Sequence, residues 1–195
     1  MNKPWLPYLA TEYIKRLKPK QVFEWGSGKS TLFFLGMNAR VVSIEHDLKW
    51  YENIKSKLWR DNWIIDYRFI PPDSGEIGPD KSNPAHYKSG STELGPVNFK
   101  AYASAIDSYG LFDLILIDGM ARASCIQHAF SHVAPGGCLV IDNADREYYL
   151  EKTNHLFGNW ESGWERIEFT GYGLILDYQW KTLFLINRRK NDYEG

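Results

Sequence analysis

Four short apolar runs, each with an acid at or beside its carboxyl end, constrain this chain most. They are residues 21–25 with Glu24, 40–45 with Glu45, 112–118 with Asp118 and 138–142 with Asp142. Each is strand-sized and bounded by turn residues or a charge, so each predicts a strand. Helical patterns lie between them. Residues 31–38 are apolar, and Trp50, Ile54 and Leu58 recur at a four-residue spacing behind Asp47, which caps that helix. Further helices are predicted over 11–17, 99–109, 121–133 and 146–157, with a turn at Pro135-Gly136-Gly137. Residues 63–70 predict another strand, and 164–170 with 182–187 predict a final strand pair. Buried-type strands alternating with helices mean a mostly parallel sheet with helices on both faces, a doubly wound α/β fold. Ligands bind such sheets at the carboxyl ends of the strands, where the acids stand.

The 195 residues suit one domain over 1–195, with a Pro/Gly-rich loop over 71–97 too long to be a plain connection. A net charge of −1 gives no bulk reason to bind nucleic acid or an anionic membrane. Cys125 and Cys138 are too few for a disulfide framework or a Cys-rich zinc site, which points to a reducing, cytoplasmic setting. Residues 1–10 are broken by Pro4 and Pro7 and make no signal segment, and no apolar run approaches the ~20 residues of a spanning helix. The apolar residues Trp5, Tyr8 and Tyr13 suit a contact in a homodimer.

The turn Gly26-Ser27-Gly28-Lys29-Ser30-Thr31 joins a strand to a helix, and its glycines allow a ligand close to the backbone. Gly28-Lys29-Ser30 matches the tail of a phosphate loop, with Asp118 as the acid that would hold Mg²⁺, giving a phosphotransferase reading. That loop requires glycine where Phe23 stands, and Glu24 opposes an anion. A dinucleotide fingerprint requires its third glycine where Thr31 stands. A cofactor without phosphate, carrying an ammonium and a sulfonium, turns Glu24 into an asset, and Glu45 stands where an acid takes ribose hydroxyls.

The ordered set 22–28, 42–45, 112–119 and 135–142 resembles the class I S-adenosylmethionine-dependent methyltransferases, over roughly residues 20–145. Ser30 replaces the third glycine of that family's loop. The resemblance implies a Rossmann-like seven-stranded sheet with its last strand antiparallel, S-adenosyl-L-methionine as cofactor, and methyl transfer to a small molecule, most often at oxygen. It implies cofactor contacts from Glu24, Trp25, Gly26, Ser27, Gly28, Ser30, Glu45, His46 and Asp118. Asp118, Asp142 and Asn143 also resemble the oxygen-ligand set that holds Mg²⁺ or another divalent cation in catechol-type O-methyltransferases. The lysine base of those enzymes falls on Ala121 here, with Arg122 next, and Arg stays protonated. Asp118 and His86 are therefore the candidate catalytic groups. Asp73 is a candidate contact to adenine, and Tyr102, Arg122, Arg146 and Tyr172 are candidate pocket residues.

Overall fold

Residues 3–75, 78–90, 95–158, 163–174 and 176–189 are described in the computed structural model of the protein. The strands are β1 (Gln21–Trp25), β2 (Arg40–Glu45), β3 (Ile65–Phe69), β4 (Asp73–Ser74), β5 (Val97–Asn98), β6 (Phe112–Ile117), β7 (Val133–Ile141), β8 (Trp164–Gly171) and β9 (Trp180–Asn187). The α-helices are α1 (Tyr8–Leu17), α2 (Lys29–Gly36), α3 (Leu48–Lys55), α4 (Lys100–Ala103) and α5 (Arg122–Ala129).

Seven strands form one sheet in the order β3-β2-β1-β6-β7-β9-β8. The pairs from β3 through β7 are parallel, and β9 runs antiparallel to both β7 and β8. The chain winds outward from β1 through β2 to β3, then returns to place β6 on the other side of β1. The order reverses there, so the turns leaving β1 and β6 diverge and open a crevice at their carboxyl ends.

Side-chain alternation divides the core. Phe23, Trp25, Ile115, Ile117, Leu139 and Ile141 face α4 and α5 on one side. Val22, Leu114, Leu116, Val140 and Phe184 face α1 and α2 on the other. A two-residue period with both faces buried yields the continuous apolar runs seen in the sequence. Tyr13 belongs to the second layer, its ring against Phe169 and Phe184, so of the three residues read as a contact surface only Trp5 and Tyr8 are exposed.

Two expectations need correction. Residues 146–157 form two separate 3₁₀ turns, Glu147–Tyr149 and Asn154–Leu156, rather than a helix. Their Tyr, Thr, Asn and His residues are weak helix formers, and the Thr153 hydroxyl bonds the Tyr149 carbonyl between the turns. Pro135-Gly136-Gly137 lies within β7, where the register against β6 shifts and Gly136 takes φ +77°. The 71–97 segment is partly ordered by its own β4–β5 pair and the turn Pro84–His86. It is pinned to the body by Ser124 Oγ donating to Pro84 O at 2.7 Å and by the Lys152–Asp80 ion pair at 2.6 Å. No helix among the described residues is long and apolar enough to cross a membrane.

Candidate active site

At the crevice lies a cavity of about 1030 Å³. One half is walled by the turn after β1 and by residues after β2. Gly26, Ser27, Gly28, Ser30, Glu45 and His46, six of the candidate cofactor contacts, line it. Asp118 and Gly119, at the end of β6, form the boundary with the other half.

Glu45 organises the first half. Its Oε2 accepts the Ser27 N–H at 3.0 Å and the Ser27 hydroxyl at 2.8 Å, and its Oε1 accepts the His46 and Asp47 N–H groups at 2.8 and 2.9 Å. Burial raises its pKa, but the bonds from His46, Asp47 and Ser27 outweigh burial and leave it below the ordinary value. It is an ionised carboxylate at the cavity wall. The next loop N–H, that of Gly28, donates to Thr31 Oγ1 at 2.9 Å. Two N–H groups that a phosphate loop would aim at its anion are thus committed within the protein.

The two glycines differ in purpose. Gly26 has φ +90°, and a Cβ there would lie 2.9 Å from the backbone of Asp118 and Gly119, so the sheet itself requires it. A Cβ on Gly28 would come no nearer than 3.8 Å to any atom, the nearest being on Trp50. The protein's own packing gives no reason for glycine at 28. Trp50 Nε1 donates to Ser27 O at 2.6 Å, and Trp5 lies against Trp50 with centroids 5.9 Å apart. Sequence periodicity marked Trp50 only as a helix-face residue. Its role as a brace for the loop depends on how α3 is docked.

Glu24 and Trp25 do not line the cavity. Trp25 is fully buried, and its Nε1 donates to Tyr102 O at 2.8 Å. Glu24 is also fully buried, behind the loop, near the hydroxyls of Thr31, Ser30 and Ser43, yet neither of its oxygens has a hydrogen-bond partner of good geometry. Burial pushes its pKa up to about 7, against the partial relief those hydroxyls give.

Arg122 decides what the strand ends can hold. Its Nε donates to Gly119 O at 2.9 Å, and Nη2 donates to Asp118 O and Oδ1, both at 3.1 Å. Nη1 donates to Asp142 O at 2.5 Å and Asn143 Oδ1 at 3.2 Å. Five acceptors meet the five N–H groups of a guanidinium. Asp142 Oδ1 accepts Trp180 Nε1 at 2.9 Å and the Thr182 hydroxyl at 2.5 Å. Asp118, Asp142 and Asn143 are brought together as expected, but around a fixed cation. Mg²⁺ among them would meet the guanidinium's charge and compete for the same oxygens, so these residues do not fit the catechol-type metal set. No cluster of three or more His, Cys, Asp or Glu suited to a metal occurs among the described residues.

Asp118 keeps 27% of its side chain exposed, toward the cavity. Desolvation and then the neighbouring Asp142 charge raise its pKa, and Arg122 moderates the rise. Ala121 and Asn143, on either side of this cluster, take the left-handed conformation, with φ +45° and +50°. Non-glycine residues held this way mark places where surrounding structure overrides local preference.

His86 is not at the cavity. Its ring packs against Gly78, Nδ1 lies near both N and O of Asp80, and Nε2 is 3.3 Å from Asn83 Nδ2, so it serves its own loop. Asp73 accepts the Ala101 N–H, and Tyr172 lies exposed beside α1, its carbonyl accepting the Tyr8 N–H. Neither lines the cavity. Tyr102 is buried beneath it. The second half of the cavity is built instead by Lys81, Lys88, Met120, Arg146, Tyr148 and Tyr149. Of these, sequence reasoning named only Arg146.

No family model and no curated protein matches the chain. Solved structures do. The O-methyltransferase from Bacillus cereus in complex with SAH superposes with TM-score 0.61 at 15% identity, over 90% of this chain and 77% of that one. The O-methyltransferase TomG from Streptomyces achromogenes, in complex with SAM, gives 0.61 at 12% identity, over 91% and 77%. The N-methyltransferase NodS from Bradyrhizobium japonicum WM9 gives 0.50 at 15% identity, over 91% and 94%. These likenesses agree with the strand order and with the antiparallel β9, and the chain has the Rossmann-like methyltransferase fold.

Proposed function

We propose that the protein transfers a methyl group from S-adenosyl-L-methionine to an oxygen of a small-molecule acceptor. The observation that carries this is the wall of the cavity's first half. An ionised Glu45 stands beside a loop whose N–H groups at Ser27 and Gly28 are already bonded. Such a wall suits a cofactor that offers hydroxyl donors and positive charge, and it disfavours a phosphate. The open Gly28 suits close passage of that ligand. Glu45 would accept from a ribose hydroxyl in place of the Ser27 hydroxyl, which can turn to the Tyr67 hydroxyl 2.7 Å away, and the Gly26–Ser30 turn would support the methionine portion.

The cofactor supplies an electrophilic methyl on sulfur. The protein's part is to bring an acceptor oxygen into line and to take its proton. Asp118 is the group for the proton, since it faces the cavity with a raised pKa and only one of its oxygens is engaged by Arg122. Oxygen is preferred over nitrogen because Lys81, Lys88, Arg122 and Arg146 favour a developing oxyanion and oppose an ammonium. No divalent metal enters this scheme, since Arg122 occupies the strand ends.

Calorimetry with S-adenosylhomocysteine and, separately, with ATP and Mg²⁺ tests the reading. Micromolar binding of the first, about −8 kcal/mol, with none of the second is expected. Binding of ATP alone would restore the phosphate-loop reading of Gly28-Lys29-Ser30.

A further inference from the structure

We infer that the acceptor is a small molecule bearing a permanent anionic group, a carboxylate or phosphate, which Lys81, Lys88 and Arg146 hold in the second half of the cavity. The inference rests on the methyl-transfer reading and adds the substrate class to it.

Positive charge exceeds negative charge along that half of the cavity. Asp118 is the carboxylate lining that half, and it is bonded to Arg122. Lys81, Lys88 and Arg146 remain, and none makes a salt bridge to a carboxylate among the described residues. Each is positioned by a neutral partner instead. Lys81 Nζ stands 3.9 Å from the centroid of the Tyr148 ring. Lys88 Nζ donates to Pro79 O at 2.8 Å, and Arg146 Nη1 donates to the Tyr149 hydroxyl at 2.9 Å. These contacts fix the cations without cancelling their charge, and each leaves further N–H donors free for a ligand. Elsewhere on this molecule cations do find acids, as in Lys152–Asp80, Arg188–Glu165 and Lys181–Glu168.

The cations come from two segments far apart in sequence, and the fold brings them to one wall. Lys81 and Lys88 lie on the long loop, and Arg146 lies on the turn after β7. The segments interlock, since a Cβ on Gly90 would lie 2.6 Å from the Tyr148 hydroxyl. Ser124 Oγ bonded to Pro84 O also holds the loop to α5. Lys81 and Arg146 are exposed and Lys88 is half-buried, so the three charges line the cavity within reach of solvent, and each attracts a bound anion. Tyr148 provides an apolar face beside them for a ring or sugar attached to the anion.

The test titrates inorganic phosphate, benzoate and, as a neutral control, phenol into the protein at constant ionic strength. Each is run with and without saturating S-adenosylhomocysteine, following the backbone amide shifts of Tyr148 and Tyr149. One or both anions are expected to bind in the millimolar range, with phenol at least tenfold weaker. The preferred anion separates a phosphate from a carboxylate acceptor. The triple variant Lys81→Met, Lys88→Met, Arg146→Met keeps the side-chain stems and should lose at least tenfold in anion affinity while retaining S-adenosylhomocysteine binding. Phenol binding as well as the anions, or anion affinity unchanged in the triple variant, overturns the inference. Absence of S-adenosylhomocysteine binding to the wild type overturns the methyl-transfer reading instead, and the anion titration without cofactor still decides the cationic site.

Discussion

Replacing Glu24 by Gln should stabilise the protein at alkaline pH, because it removes a buried carboxylate that has no hydrogen-bond partner. In the folded state burial holds this carboxyl at about 7, against its ordinary value of 4.5. A raised carboxyl pKa means that the folded chain binds the proton more tightly than the unfolded one. Stability from this group is therefore full at low pH and is lost as pH rises from about 4.5 through about 7. The rise from 4.5 to about 7, at about 1.4 kcal/mol per pH unit, sets the loss at roughly 3 kcal/mol by pH 8. Gln does not titrate. The stability difference between Glu24→Gln and wild type should move by about 3 kcal/mol in favour of the variant between pH 4.5 and pH 8. Titrating groups that do not feel the Glu24 charge cancel in that difference, and Asp118 and Tyr67, which do feel it, add only a smaller term. Urea unfolding at half-unit pH intervals measures it. Two pH profiles that run parallel within about 0.5 kcal/mol would refute the reasoning, since Glu24 would then be hydrated or paired. The same variant tests whether a ligand senses Glu24. A loss of S-adenosylhomocysteine affinity in Glu24→Gln would show the carboxylate acting from behind the loop through its field.

Gly28→Ala should leave stability within about 0.5 kcal/mol of wild type yet lower S-adenosylhomocysteine affinity at least tenfold, whereas Gly26→Ala should destabilise by more than about 2 kcal/mol in urea unfolding. Equal effects from the two would deny the division of labour between them. Arg122→Met should cost about 3 kcal/mol at pH 8, where Asp118 is left charged and uncompensated, and less at pH 5.5, where Asp118 takes up a proton. Asp118→Asn should lower kcat by a factor of about 10² or more and abolish the rise of the wild-type rate toward alkaline pH. A retained pH profile would remove Asp118 as the proton acceptor. Chelation by EDTA should leave turnover within twofold, and a strict divalent requirement would contradict the placement of Arg122.

The acids at the strand ends made the fold legible. A strand that runs buried to its last residue and then meets Glu45, Asp118 or Asp142 has reached the edge of a covered parallel sheet, and a short sequence window contains that information. The glycine turn was equally plain. Two kinds of feature were not. Glu24 is near a strand end in sequence, but its face of the sheet depends on register, and it points into the α1–α2 layer behind the loop. The second half of the cavity is assembled from Lys81, Lys88, Arg146 and Tyr148, which no local spacing relates. His86 was misjudged for the same reason, because its loop folds the ring against Gly78 and Asp80. Asp118, Asp142 and Asn143 do converge as their pattern suggested. The decisive neighbour is Arg122, which the sequence offered as a pocket residue but not as the cation that ties Asp118, Asp142 and Asn143 together.

The Arg122 guanidinium has a consequence for how such a site persists. A cation supplied by translation cannot be lost to dilution or to competing chelators, and it keeps its charge at any pH the protein survives. The carboxyl ends of β6 and β7 are therefore tied together whether or not a metal is abundant. In exchange the site gives up Lewis acidity, since a guanidinium orients and balances charge but does not ionise a bound hydroxyl as a metal does. In the proposed reaction the proton of the acceptor then goes to a side chain, and the acceptor carries more of its own recognition.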